Sequence, residues 1–183
     1  FQAVFLLSST FISVSFGQAT DYIQKAYQYI ETKYGLDRES IGELKITDQY
    51  MSEHNKAQHV YLTQAFNGID ITGTSISLTF LPDGRILSTS HRLKSFNPFP
   101  VGSGDAIVTP VEAIIVVAGS LGITSRAIPE IKRYTQEGIP VYGKADIALQ
   151  DMPVELVYYP TSSGQYQQVW KILFDCAKDG IMY

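Results

Sequence analysis

Cysteine is nearly absent from the chain: Cys176 is the single cysteine among 183 residues. No internal disulfide can form, and a zinc site built from cysteine thiolates would need further thiols. Cys176 follows Phe174 and Asp175 at what reads as the end of a strand. A buried, inert thiol fits this setting better than a catalytic one.

Charge is also sparse, at 17 % of the residues with a net charge of −4, and no run of lysine and arginine stands out. This balance gives no indication of nucleic-acid binding. Apolar residues make up 45 % of the chain, which is enough for a core and too apolar for a disordered protein. The length suits one domain or two small ones.

Signatures of catalysis are missing as well. The sequence contains no H-E-x-x-H, G-x-S-x-G, G-x-G-x-x-G or P-loop pattern. Carboxylates such as Asp48 and Glu53 fall in strands and turns without a partner base or nucleophile. The residues therefore favour a module without chemistry of its own. A zinc site built on His54, His59 and His91 remains an alternative, although their spacing does not demand one.

The N-terminal residues 1–19 carry no charge, and their apolar stretch is too short to cross a bilayer comfortably. Gly17 and Ala19 place small residues at the −3 and −1 positions of a cleavage site. This pattern predicts a secretory signal peptide, truncated at its start and cut after Ala19. A buried apolar helix or a membrane anchor is the alternative. No N-glycosylation sequon occurs in the chain.

Periodicity predicts the elements that follow. Thr20-Asp21 is predicted to cap an amphipathic helix that runs to Tyr34, with Gly35 as its stop. From 43 to 93 the apolar period changes to two, with turns at Asn67-Gly68 and Asp83-Gly84. A helix followed by an antiparallel meander of about four strands predicts a compact α+β unit.

The second half repeats this order. Residues 94–105 are rich in proline, glycine and serine and predict a linker. Thr109 is predicted to cap a second helix, with Pro110 at its first position and Gly122 after its end. Strands are expected at 154–159 and 168–174. The predicted fold class is therefore α+β, with two tandem units that each pack a helix on an antiparallel sheet.

The stretch from Ile46 to Leu87 resembles the propeptide module of fungalysin and thermolysin proteases, and the fungalysin branch fits best. The resemblance rests on an Asp-x-Tyr-x-Ser-x-His-Asn segment, a His-Val-Tyr strand, a Gln-x-x-Asn-Gly-Ile turn and an Asp-Gly hairpin. The matching residues are Asp48, Tyr50, Ser52, His54, Asn55, His59, Val60, Tyr61, Gln64, Asn67, Gly68, Ile69, Asp83 and Gly84.

The second half resembles the other propeptide lobe more loosely. It has a Thr-Pro-x-Glu-Ala helix start at Thr109 and a Val-Trp strand that ends at Trp170. The resemblance implies two cystatin-like lobes at 20–94 and 109–183, joined by a linker at 95–108. Gly73-Thr74 departs from the Asn-Ala pair of many relatives.

The resemblance also implies a function. Such a propeptide is expected to assist folding of its metalloprotease, then to cover the active site until cleavage releases the enzyme. The partner would be the cognate catalytic domain in cis, with zinc and H-E-x-x-H in that domain, which this chain does not reach. The product would be secreted, with no nucleic-acid partner and no membrane association after signal removal. This chain would be a fragment without catalytic, metal-binding or cofactor-binding residues.

The alternative is a free-standing secreted protease inhibitor or binding module. A short protein of this kind would leave an unpaired sheet edge exposed near Lys171–Phe174.

Overall fold

A computed structural model describes residues 16–96, Phe99 and residues 108–175. Most of the predicted signal peptide, part of the predicted linker and Cys176 lie outside these residues. The elements are α1 (Phe16–Tyr34), α2 (Arg38–Ile41), β1 (Glu43–Met51), β2 (Gln58–Phe66), β3 (Ile69–Ile71), β4 (Ile76–Phe80), β5 (Ile86–His91), α3 (Pro110–Ser120), β6 (Ile131–Tyr134), β7 (Pro140–Tyr142), β8 (Met152–Pro160) and β9 (Tyr166–Ile172).

Helix α1 buries its predicted apolar stripe, with Ala26 and Ile30 fully inaccessible, and it stops at Gly35, whose φ is +66°. The predicted cap at Thr20-Asp21 is wrong, because the helix already runs from Phe16. Asp21 lies inside the helix and pairs with Lys25 one turn later, at 2.7 Å. The predicted cleavage site after Ala19 therefore falls within α1, and cleavage there stays a prediction.

The first antiparallel sheet forms as the alternation predicts. Strand β2 pairs with β1 on one side and with β4 on the other, and β4 pairs with β5. Ile76, Leu78 and Phe80 alternate into the core with α1. Asn67 and Gly68 both have positive φ at the turn between β2 and β3, as a two-residue type I′ hairpin requires.

Helix α3 begins as predicted. The Thr109 side chain accepts from the Glu112 N–H while the Glu112 carboxylate accepts from the Thr109 N–H, which completes a capping box. The helix packs on β7, β8 and β9 through Ile114 and Ala118. Strands β6 and β7 were not predicted, because all of β6 is exposed and β7 has only three residues.

A short parallel pairing joins the two halves. Asp70 pairs with Val157 and Ile71 with Tyr158, which connects β3 to β8. The sheet is therefore one nine-stranded sheet in the order β5-β4-β2-β3-β8-β7-β6, with β1 on β2 and β9 on β8. The mixed helix and sheet class is confirmed, whereas the division into tandem cystatin-like units and the domain boundaries stay predictions.

An aromatic cluster packs beside this junction. Phe66, Phe96, Phe99, Tyr158 and Tyr166 have ring centroids 4.4–6.0 Å apart in contacting pairs. Two of them, Phe96 and Phe99, belong to the predicted linker. These two rings thus pack against both halves.

Pairing registers place both long helices on the same face of the sheet. Gln64 and the buried Leu62 share a face with Ile71 and Tyr158 across β2, β3 and β8. Val154, on that same face of β8, packs with α3. The opposite face has no described helix over it.

Candidate functional site

The face of the sheet turned away from the helices, here called the open face, extends across strands of both halves. Its side chains alternate with the core and come from both halves of the chain. By register they include Glu43, Lys45, Asp48, Tyr50, His59, Tyr61, Thr63, Ala65, Asp70, Ser77, Thr79, Ser88, Ser90, Glu155, Val157, Tyr159, Gln167, Val169 and Lys171. Nine of them carry hydroxyl groups or aromatic rings, which suits binding rather than core packing.

A concave pocket of about 540 Å³ lies in the middle of the open face, where the two halves meet. Tyr61 and Thr63 line it from the first half, and Val157 and Lys171 line it from the second. Val157 is almost fully buried at its floor. The junction between β3 and β8 therefore shapes a hollow that neither half forms alone.

An aromatic ladder crosses the open face beside this pocket. The Tyr50 ring stacks on His59 at 4.6 Å and lies 6.2 Å from the Tyr61 ring. The two tyrosine hydroxyls are 3.5 Å apart, and this contact raises the pKa of Tyr61. His59 Nδ1 lies 3.2 Å from the Thr79 hydroxyl. The ladder exposes rigid aromatic rings that carry polar atoms. Aromatic residues of this kind, tyrosine among them, are enriched in protein–protein interfaces.

Two ion pairs connect strands on the same face: one spans β2 between β1 and β3, and the other joins the paired strands β8 and β9. Lys45 on β1 pairs with Asp70 on β3, and Lys171 on β9 pairs with Glu155 on β8 at 3.1 Å. Each pair neutralises its own charges, so the centre of the open face is polar without a dominant sign. Sequence reasoning missed these four residues. Alternating polar positions within strands were the signal that could have identified them.

Several of the sequence-predicted motif residues form turns. Asn55 accepts from the Ala57 N–H at 3.1 Å, and Ser52 exchanges backbone hydrogen bonds with Ala57 and Lys56 in the turn between β1 and β2. Asp83 accepts from the Arg85 N–H at 3.0 Å in the turn between β4 and β5, where Gly84 has a φ of +84°. These residues determine the strand registers, and we assign them no chemical role.

Gln64 and Trp170 make specific internal contacts. The fully buried Gln64 amide donates to the carbonyls of Ile41 and Lys94 and accepts from the Lys94 N–H, at 2.7 Å in each case. The Trp170 indole donates to the Val108 carbonyl at 2.8 Å. Gln64 thus ties the end of α2 and the segment after β5 to the sheet, and Trp170 ties the residue before the α3 cap to β9.

The three histidines lie apart from one another. His54 lies in the exposed turn after β1, His59 on β2 beside Thr79 of β4, and His91 at the far end of β5 against Tyr34. Within residues 16–96 and 108–175, no group of three or more His, Cys, Asp or Glu side chains could hold a metal ion. The structure does not assemble the alternative zinc site from these histidines.

Of the motif residues, Asp48, Tyr50, His59 and Tyr61 share the open face by register, while Val60 is a core residue of β2. Asp48 is exposed on β1 just after its bulge. No helix in the described part of the chain is long and apolar enough to cross a membrane.

Residues 42–93 match the Fungalysin/Thermolysin Propeptide Motif. The match runs from Gly42, just before β1, to Leu93, just after β5, and so covers the whole first antiparallel meander. It supports a metalloprotease propeptide region in this chain. No curated protein matches the chain.

Proposed function

We propose that this chain is part of the propeptide of a secreted fungalysin-type zinc metalloendopeptidase. The propeptide would assist folding of the catalytic domain and then inhibit that domain until the propeptide is cleaved off. The match of residues 42–93 to the propeptide motif carries this proposal. Zinc and the catalytic residues would belong to the catalytic domain. This chain would contribute shape and contact surface only.

The open face is the surface we assign to the catalytic domain. It draws side chains from both halves, it is concave at the junction, and its exposed rings include Tyr50 and Tyr159. Tyrosines at the centre of an interface carry much of its binding energy, because they bury a large area with little loss of side-chain freedom. Binding across both halves would also hold them in one orientation.

Inhibition tests the proposal. The full chain is mixed with a separately folded fungalysin-type catalytic domain, and peptide hydrolysis is measured as the chain concentration rises. We expect hydrolysis to fall to a plateau at a one-to-one ratio. Unchanged hydrolysis at micromolar chain would reject the inhibitor role.

A matched pair of variants tests the assigned surface. Tyr159 on the open face and Tyr134 on β6 have similar exposed fractions, 57 % and 61 %, but Tyr134 pairs with Pro140 on the helix side of the sheet. Tyr159→Ser is expected to weaken inhibition by about tenfold or more, in the range typical of central aromatic contacts. Tyr134→Ser is expected to leave inhibition unchanged.

A free-standing secreted inhibitor or binding module is the second candidate. Such a module would use the same open face without a catalytic domain in cis. The reading frame downstream of Tyr183 distinguishes the two, since an in-frame H-E-x-x-H favours the precursor and a stop codon favours the free module. Secretion is part of both proposals. N-terminal sequencing of the exported protein is expected to begin at Thr20.

A further inference from the structure

Strand β6 contains Lys132-Arg133, the one position in the 183-residue sequence where two lysine or arginine residues are adjacent. All four residues of β6 are exposed, including the apolar Ile131. Residues 126–138 are exposed almost throughout, apart from Pro129 and the half-buried Thr135. The basic pair therefore lies in the middle of a long accessible segment.

Few interactions hold β6 in place. Among the described strands it pairs only with β7, and a bulge at Lys132 interrupts the register between Ile131 and Arg133. Pro140 lies opposite Tyr134 and has no N–H to donate to the ladder. A segment with few ladder hydrogen bonds and no buried side chain opens locally at low free-energy cost.

The two basic side chains have no acidic partner within the described residues. Lys132 and Arg133 take part in none of the ion pairs found there, whereas Lys25, Lys45, Arg85 and Lys171 do. The Lys132 stem lies over Gly143, where an added Cβ would approach its Cε to 2.8 Å. Once β6 separates from β7, the Lys132 ammonium group can therefore pair with a new acidic group.

We propose that the Arg133–Tyr134 peptide bond is a processing site for a serine endoprotease that recognises paired basic residues through carboxylate-lined pockets. The Lys132 ammonium and the Arg133 guanidinium would pair with those carboxylates. Hydrolysis consumes one water molecule: the C–N bond between Arg133 and Tyr134 breaks, Arg133 gains a carboxylate and Tyr134 gains a free amino group. An extended edge strand is already close to the conformation that such enzymes bind by strand addition.

The regulatory consequence rests on the proposed function. Cleavage falls within β6: all the elements up to α3 and residues 131–133 stay on one fragment, and Tyr134 goes with β7, β8 and β9 on the other. The open-face side chains of β1–β5 and those of β8 and β9 are then no longer covalently linked. Linked contact regions bind more tightly than separate ones, because the second contact forms at a high effective concentration. The cut chain should therefore inhibit the catalytic domain less than the intact chain.

The experiment incubates the full chain with a purified kexin-type endoprotease and measures fragment masses. We expect two fragments, residues 1–133 and 134–183. Arg133→Gln is expected to slow this cut by at least about tenfold, because a buried charge pair with the protease is lost. Arg126→Gln, an exposed basic residue seven positions earlier, is the matched control and should be cut at the wild-type rate.

A synthetic peptide of residues 128–138 shows whether the endoprotease recognises the local sequence alone, without the folded conformation. If the peptide is cut but the folded chain stays intact, or if the folded chain is cut elsewhere, the assigned site is wrong. This readout contains no metalloprotease, so its failure leaves the proposed function untouched. If the cut forms and inhibition is unchanged, the processing site stands and the regulatory consequence is overturned.

Discussion

Replacing Gln64 by leucine removes a buried side chain that makes three hydrogen bonds in the first half of the fold. Gln64 is fully inaccessible, and its amide makes three hydrogen bonds at 2.7 Å to Ile41 and Lys94. It therefore ties the end of α2 and the segment after β5 to the centre of the sheet. Leucine has a similar volume, so the cavity contribution to the change is small.

The magnitude follows from the lost hydrogen bonds. Each contributes about 1 kcal/mol net, and a buried orphaned carbonyl such as that of Ile41 adds about 1 kcal/mol more. Water can reach the backbone of the exposed Lys94, and the apolar leucine recovers part of the loss. We expect a decrease of about 2–4 kcal/mol in the free energy of unfolding, which corresponds to a fall of roughly 5–15 °C in Tm for a chain of this size.

Urea denaturation followed by circular dichroism measures this change. Gln167→Leu on the exposed side of β9 is the matched control and should stay within about 0.5 kcal/mol of wild type. If Gln64→Leu also stays within that range, the hydrogen-bonded bridge does not stabilise the fold as argued.

Three further predictions concern local geometry. Gly68→Ala should destabilise the protein by about 1–2 kcal/mol, because Gly68 has a φ of +76°. Gly119→Ala in α3 should stabilise it by about 0.5–1 kcal/mol, because no neighbouring atom obstructs the added methyl group. Chemical denaturation measures both changes. Hydrogen bonds from Thr109 lower the pKa of Glu112 below its ordinary 4.5, so its stabilising contribution is present above that value and is lost as the pH falls through the lower folded pKa. Glu112→Gln removes the titrating carboxyl and should abolish this dependence in denaturation midpoints measured against pH, and an unchanged pH profile would contradict it. Phe99→Ala removes the ring that contacts four other aromatic rings between the halves and should split thermal unfolding into two transitions; a single unchanged transition would argue against coupling by this cluster.

Local chemistry made much of the fold predictable. The alternation of Ile76, Leu78 and Phe80 indicated a half-buried strand, and all three are core residues. Asn67-Gly68 indicated a tight hairpin and adopts its positive φ angles. Thr109 and Glu112 indicated a capped helix and form a full capping box. Each of these signals acts within a few residues, so the sequence contains it directly.

Features that depend on distant parts of the chain could not be predicted in this way. The β3–β8 pairing involves only two residues on each strand and joins segments far apart in sequence. Phe96 and Phe99 lie in a segment whose prolines and glycines indicate a linker, yet the aromatic rings find a cluster formed by both halves. The open face also depends on that pairing, because the register across β3 places the polar residues of both halves on one side.

Calorimetric titration of a fungalysin-type catalytic domain with the full chain tests the central claim most directly, since it measures binding without reference to activity. The account predicts saturable one-to-one binding that Tyr159→Ser weakens and Tyr134→Ser does not. Absence of measurable binding at micromolar concentrations, by a chain whose fold is confirmed by circular dichroism, would contradict it.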